Sequence, residues 1–484
     1  MIDRVIPARV RPLIRSIFGT IATALTGQAA LLLSGVLSAR ILGPENRGHV
    51  ALFVVLPSVI FYAGNLGLPS ALAYFIAKDR TQTAAIVRSL SKWFILQVTV
   101  LTLVHALVLV ILLSGKSRVL QVAGFTSLPI VPAFLVQQNA LSVLQGRQRF
   151  GVFNLVRLLP AFLFGLAVLA LYIGHAGGLI QIMVAWTITV IISAIATAFA
   201  AAQALGSEVT GRPIPNTRQL VGFGLKSVLG SFSPIESFQV DQILVGLFLS
   251  PAALGLYVVG QALTNLPRFV SQSVGMVAYP YIASLQDRQA AWRSTWQFFW
   301  LNVCTSLVIV LGLAVATSYV VPVLFGKAFA GAVPVAHVLL AGAFFLSVRR
   351  VLVEGLRGSG YPIAGSVAEV VSWFWLIPAF VIFTPRWGVI GAGLAVSSSA
   401  AFALALVPIT VWLQRSSITP RAVRFSRIFR TKAQANERGA LTRLAPGNRQ
   451  QSEGSRTPVL NLAGNRRLSG FVVAYPLAVA IGIV

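Results

Sequence analysis

Acidic residues are scarce in this sequence, with 11 Asp and Glu in 484 residues against 38 Lys and Arg. Charged residues of both signs make up only 10% of the chain, too few to coat a water-facing surface of this size. A single cysteine, Cys304, excludes a disulfide framework and a thiolate metal site within one chain; set in an apolar run, it reads as a small core residue. The histidines, at 49, 105, 175 and 337, are too scattered to suggest a metal site. Missing too are a GxxxxGK[ST] phosphate loop, HExxH, GxSxG and paired carboxylates in an exposed loop, so the reading is a protein that is not an enzyme and needs no cofactor. The GLRGSG run from Gly355 to Gly360 has no strand before it and reads as a helix stop.

Hydrophobic residues make up 56% of the chain, and its mean hydropathy is +0.83. Apolar runs of roughly 20 residues, enough to cross about 30 Å of hydrocarbon, recur from Phe18 nearly to Val411. The run from Ile17 to Leu42 follows an Arg-rich start but is too long for a signal-peptide core, and reads as the first span. Charges, Gly/Pro clusters and run lengths predict helices at 17–41, 48–76, 90–113, 119–144, 152–173 and 179–205. A second set follows at 219–249, 252–283, 295–321, 330–356, 362–384 and 388–413.

Basic residues fall mainly on one side of these spans: Arg4, Arg9, Arg11, Arg15, Lys78, Arg80, Arg88, Lys92 and Arg147 to Arg157, then those of 212–226 and 288–293, and Arg349, Arg350 and Arg357. The other side carries Arg40, Arg47, Lys116, Arg118, Lys327 and Arg386. The positive-inside rule then puts both termini in the cytoplasm of a cell (inner or plasma) membrane protein. The net charge of +27 is accounted for by topology and a basic tail, without nucleic acid.

An internal repeat organises the spans. LGPENRGHVALFVVLPSV (Leu42 to Val59) resembles LSPAALGLYVVGQALTNL (Leu249 to Leu266), pairing Pro44 with Pro251 and Gly48 with Gly255 at an offset of 207 residues. LQG at Leu144 to Gly146 answers LRG at Leu356 to Gly358, and Gly178 answers Gly388. An even number of spans per copy gives both copies one orientation, the plan of parallel-repeat transporters. The expectation is an all-α polytopic membrane protein with about twelve transmembrane helices in two parallel six-helix bundles around a central cleft. Its parts are a basic cytoplasmic N-terminus (1–16), an N-terminal bundle (17–205), a cytoplasmic linker (206–218), a C-terminal bundle (219–413), a disordered basic cytoplasmic tail (414–470) and a short apolar end (471–484) containing Pro476.

The ARILGPENRGHVAL corner, its LSPAALGLYVV echo and the GVIGAGLA start of the last helix resemble the polysaccharide-export flippases of the multidrug/oligosaccharidyl-lipid/polysaccharide exporter superfamily, over about residues 15 to 413. The resemblance implies a V-shaped transporter. It would carry polyprenyl-pyrophosphate-linked oligosaccharide from the cytoplasmic to the outer leaflet by alternating access, alongside membrane lipids and a polysaccharide polymerase or glycosyltransferases. The alternative within the superfamily is a cation-coupled multidrug-type exporter.

Charges inside a bilayer usually face a cavity or a partner. A lipid pyrophosphate needs Arg or Lys donors, which points to Arg268 first, then to Lys226, Arg40 and Arg47; Asn65 is suited to sugar hydroxyls. Glu236, Asp241 and Glu369 are candidates for binding a coupling proton or sodium ion. The competing readings are a Glu236–Arg268 pair and carboxylates that serve only as structural partners. Pro57, Pro69, Pro234, Pro267 and Pro280 lie in apolar helices, where they act as hinges or as static bends.

Overall fold

The computed structural model describes residues 11–206, 216–230, 239–285, 287–359, 361 and 364–441; for some of these, chiefly 11–22 and 413–441, only the backbone is described. All regular structure among them is helical. In chain order the helices are α1 (Arg11–Gly64), α2 (Leu68–Lys78), α3 (Thr83–Leu113), α4 (Arg118–Phe125), α5 (Ile130–Gly146), α6 (Phe150–Ile173) and α7 (Leu179–Ala202). Then come α8 (Thr217–Gly230), α9 (Val240–Phe248), α10 (Pro251–Ala262), α11 (Asn265–Ala283), α12 (Arg288–Phe325), α13 (Ala332–Gly358) and α14 (Ala364–Leu441).

Eight helical segments among the described residues are long and apolar enough to cross a membrane. Two of them, Thr26–Gly64 and Val367–Trp412, run to 39 and 46 residues, well beyond one span. Each is divided by a glycine outside helical geometry: Gly43 at φ 68° in α1 and Gly388 at φ 54° in α14. Glycine has no Cβ to clash at positive φ, so the chain turns there without strain. The pairs α8/α9 and α10/α11 lie where the sequence predicts the seventh and eighth spans, so the element order is consistent with the twelve expected. Side chains along these helices are inverted relative to a soluble protein, with Phe374 79% exposed, Val315 76% and Tyr319 76%. Such a surface is stable only against hydrocarbon.

Cys304 belongs to this lipid-type surface of α12: it is exposed, correcting the expectation of a core residue. An apolar run in a membrane helix does not say which of its faces is covered. The helix expected to end near 413 continues as backbone to Leu441, through a stretch rich in Arg and Ala, both good helix formers. The rest of the expected tail and the apolar end 471–484 lie outside the described residues.

Packing divides the chain into two compact units: Met1–Arg268 with Leu307–Leu346 and Glu369–Ala403, and Phe269–Ser306 with Ser347–Ala368 and Leu404–Val484. This division groups residues by packing and is different in kind from the six-helix halves read along the sequence. Leu37, Phe53, Phe164 and Met183 form part of one core in the first unit; Leu356, Tyr361 and Val407 form part of one in the second.

The repeat has a direct structural counterpart. In the first unit, a Cβ on Gly48 would lie 1.8 Å from the Pro251 carbonyl oxygen, and a Cβ on Gly255 2.0 Å from that of Pro44. The repeat-paired residues therefore touch each other reciprocally, as elements related by a two-fold axis do. Gly146, at the end of α5, abuts Ile76 and the Ala73 carbonyl of α2. Gly358, at the end of α13, abuts Ile282 and the Tyr279 carbonyl of α11, repeating the contact 206 and 212 residues later.

Candidate functional site

Within the first unit, three helix segments bring polar side chains together inside apolar surroundings. Asp241 stands in the first turn of α9, behind Gln239, whose φ of 46° starts the helix abruptly. A carboxylate in a first turn is favoured by the unpaired amides there. Asp241 is 1% exposed, and its Oδ2 accepts hydrogen bonds from the Tyr257 hydroxyl at 2.8 Å and the Gln261 amide at 2.9 Å. Tyr257 and Gln261 lie four residues apart on α10, hence on one face. Gln242 donates to Gln261 Oε1 at 2.5 Å and completes the chain. Asp241 Oδ1 is buried and has no hydrogen-bond partner among the described residues.

Arg268 lies beyond the break between α10 and α11, close enough to Asp241 to act on it electrostatically. Pro267 accounts for the break: it has no N–H to bond to the carbonyl of Leu263, and Thr264 turns back to Gln261 instead. Of the predicted residues, the structure thus brings Arg268 and Asp241 together. Glu236, the predicted partner of Arg268, lies outside the described residues, as does Pro234.

The other candidates sit elsewhere. Arg40 donates to the carbonyls of Leu324, at 2.6 Å, and Val323, so it caps the C-terminal end of α12. Asn65 donates to the Tyr62 carbonyl at 3.0 Å and accepts from the Gly67 amide at 2.8 Å, closing the break between α1 and α2 with both ends of its amide. Gln97, donating to the Gly64 carbonyl at 2.6 Å, closes the same break from α3. Pro69 stands at the start of α2 and opens a helix there. Arg47, beside Gly48, has a buried Nε with no hydrogen-bond partner. Lys226 lies in α8; its side chain is outside the described set. Glu369 is buried, at 9% exposure, in α14. No group of three or more His, Cys, Asp or Glu among the described residues is arranged to hold a metal.

Tyr257, Gln242 and Gln261 are absent from the sequence-derived candidates. The repeat register held a signal for two of them: Tyr257 and Gln261 stand where the first copy has Val50 and Val54. A duplicated membrane helix that turns polar in one copy only has acquired a task there.

Comparison with known proteins adds to this geometry. Residues 36–334 match the family model described as "Polysaccharide biosynthesis protein". The chain is 22% identical over 190 residues to the "Probable low-salt glycan biosynthesis flippase Agl15" of Haloferax volcanii, an alignment covering 38% of this chain and 40% of that one. Among solved structures, the lipid II flippase MurJ in an inward closed conformation superposes with a TM-score of 0.64 at 13% identity, covering 81% of this chain and 87% of that one. The MATE multidrug transporter DinF-BH, solved as a complex, superposes with a TM-score of 0.56 at 15% identity, covering 85% and 96%. With a family match over more than half of the chain, the protein belongs to the family described as "Polysaccharide biosynthesis protein", and its helices, long and apolar enough to cross a membrane several times, share the fold of these solved transporters.

Proposed function

We propose that the protein flips a polyprenyl-pyrophosphate-linked oligosaccharide from the cytoplasmic to the outer leaflet by alternating access between two six-helix bundles, in a cell membrane with both termini cytoplasmic. The observation that carries the reading is Arg268, a half-buried guanidinium within electrostatic reach of the buried Asp241 carboxylate, in a chain of the polysaccharide biosynthesis family. A pyrophosphate leaving water needs such a donor, and Arg offers it in bidentate form. Asp241 has the second role in this scheme: it holds a coupling proton or sodium ion and releases Arg268 to the substrate when the ion is bound. Glu236 and Glu369 are further ion-coupling candidates, and Arg47 and Lys226 lesser substrate ligands. A polymerase or glycosyltransferase acts on the delivered glycan.

The test is deletion of the gene in its native host, followed by measurement of the lipid-linked oligosaccharide pool, with rescue by wild type, Arg268→Ala and Glu236→Ala. Accumulation on the cytoplasmic side that wild type reverses and Arg268→Ala does not is the expected result. The similarity to the multidrug transporter DinF-BH favours one competing reading, a cation-coupled drug exporter. An unchanged pool with altered dye efflux would replace the flippase by that exporter.

A further inference from the structure

The second unit contains a cavity of about 370 Å³, lined by Arg288, Gln289, Trp292, Arg293, Ser359 and Tyr361. Its size is within the range of small-molecule sites, about 300–1,000 Å³. Two guanidiniums face it, and among the described residues neither is paired with a carboxylate. Arg288 is nonetheless held in place. It donates to the hydroxyl of Tyr361 and lies over that ring, 5.8 Å from the centroid, while Tyr361 is 3% exposed and anchored through its amide to the Leu356 carbonyl at 2.9 Å. A guanidinium oriented by a buried tyrosine loses less entropy on binding an anion than a free surface arginine does.

Asp287 already caps the first turn of α12, accepting from the amides of Gln289 at 3.0 Å and Ala290 at 3.2 Å. An anion in the cavity is therefore met by the side chains, not by the helix end. Beyond the cavity an aromatic ladder continues along α12, with Trp292 on Trp296 at 6.0 Å, Trp296 on Phe299 at 5.0 Å and Phe299 on Trp300 at 5.3 Å. Trp296 and Trp300 are exposed. Tryptophans exposed on an apolar helix next to arginines mark the headgroup level of a bilayer, and the positive-inside rule makes this the cytoplasmic face.

We infer that this cavity binds the phosphate of a lipid headgroup in the cytoplasmic leaflet, with Arg288 and Arg293 as the anion ligands, Ser359 as a supplementary donor and the tryptophan ladder alongside the lipid chain. The chemistry fits a polyprenyl pyrophosphate and an anionic phospholipid alike. The inference stands apart from the transport reading, which the lipid-linked pool tests separately.

The experiment titrates the full chain, in uncharged detergent micelles, with farnesyl pyrophosphate, farnesol, inorganic pyrophosphate and phosphatidylglycerol. Farnesyl pyrophosphate binds and farnesol does not; replacing Arg288→Gln and Arg293→Gln together weakens binding by about tenfold or more, the scale of a lost charge-assisted hydrogen bond. The pair Arg288→Lys and Arg293→Lys keeps part of the affinity, which separates loss of charge from a disturbed Arg288–Tyr361 contact. Displacement by phosphatidylglycerol at equal concentration assigns the site to bulk phospholipid, and failure to displace assigns it to a polyprenyl headgroup; both support a lipid phosphate site. Unchanged binding in the Gln pair, or equal binding of farnesol, overturns it. Inorganic pyrophosphate binding as tightly as farnesyl pyrophosphate overturns its assignment to a lipid.

Discussion

Gly48 and Gly255 lie against each other's corner, the first under the carbonyl of Pro251 and the second under that of Pro44, so two copies of one sequence motif form a single backbone-to-backbone contact. No side chain larger than hydrogen fits either position. Gly48→Ala and Gly255→Ala should each destabilise the protein by about 1–3 kcal/mol or more, because the obstacle is backbone and cannot rotate away. Gly35→Ala, where a Cβ meets nothing within 4 Å, should be neutral or stabilising by up to about 1 kcal/mol. Thermal unfolding in detergent distinguishes the two cases.

Gly146 and Gly358 make the equivalent contact in their respective units. Alanine at either should lower the unfolding temperature, Gly146→Ala the more, since its Cβ would come to 2.7 Å from Ile76 Cβ against 3.0 Å from Ile282 Cβ for Gly358. The reverse order would mean that α5 can shift where α13 cannot.

Arg40 is expected to matter for stability and not for substrate. Arg40→Ala removes the cap on the α12 carbonyls and should cost about 0.3–1 kcal/mol, with transport at saturating substrate close to wild type. A loss of transport in a normally stable Arg40→Ala protein would return this residue to the substrate path.

Tyr257 and Gln261 share one oxygen of Asp241, so their contributions should not add. Tyr257→Phe leaves a buried carboxylate short of a donor, at about 1.5–3 kcal/mol. The double-mutant cycle with Gln261→Leu, read by unfolding, should show coupling above about 0.5 kcal/mol; additive effects would mean that Asp241 is held by other groups. Asp241→Asn should make transport insensitive to the coupling ion if the carboxylate carries that ion.

The helix order is largely legible in the sequence, because a span must satisfy its own backbone hydrogen bonds in hydrocarbon and so is written as a continuous apolar run. The glycine corners are legible too. The partnership around Asp241 is not: the repeat register marks Tyr257 and Gln261 as polar departures, but only the packing of α9 against α10 turns them toward one oxygen. Asn65 went the other way, since an amide near a membrane helix end suits a sugar and a turn equally, and the structure commits it to the turn.

By itself, then, the sequence determined that this chain lives in a membrane, how its spans are ordered and that they repeat, because length, hydropathy and glycine position act locally along a helix. Which face of each helix is covered, as at Cys304, and which distant polar groups share one buried oxygen were decided only by tertiary packing. In a membrane helix apolar residues occur on covered and lipid-facing sides alike, so the one-dimensional pattern no longer separates inside from outside.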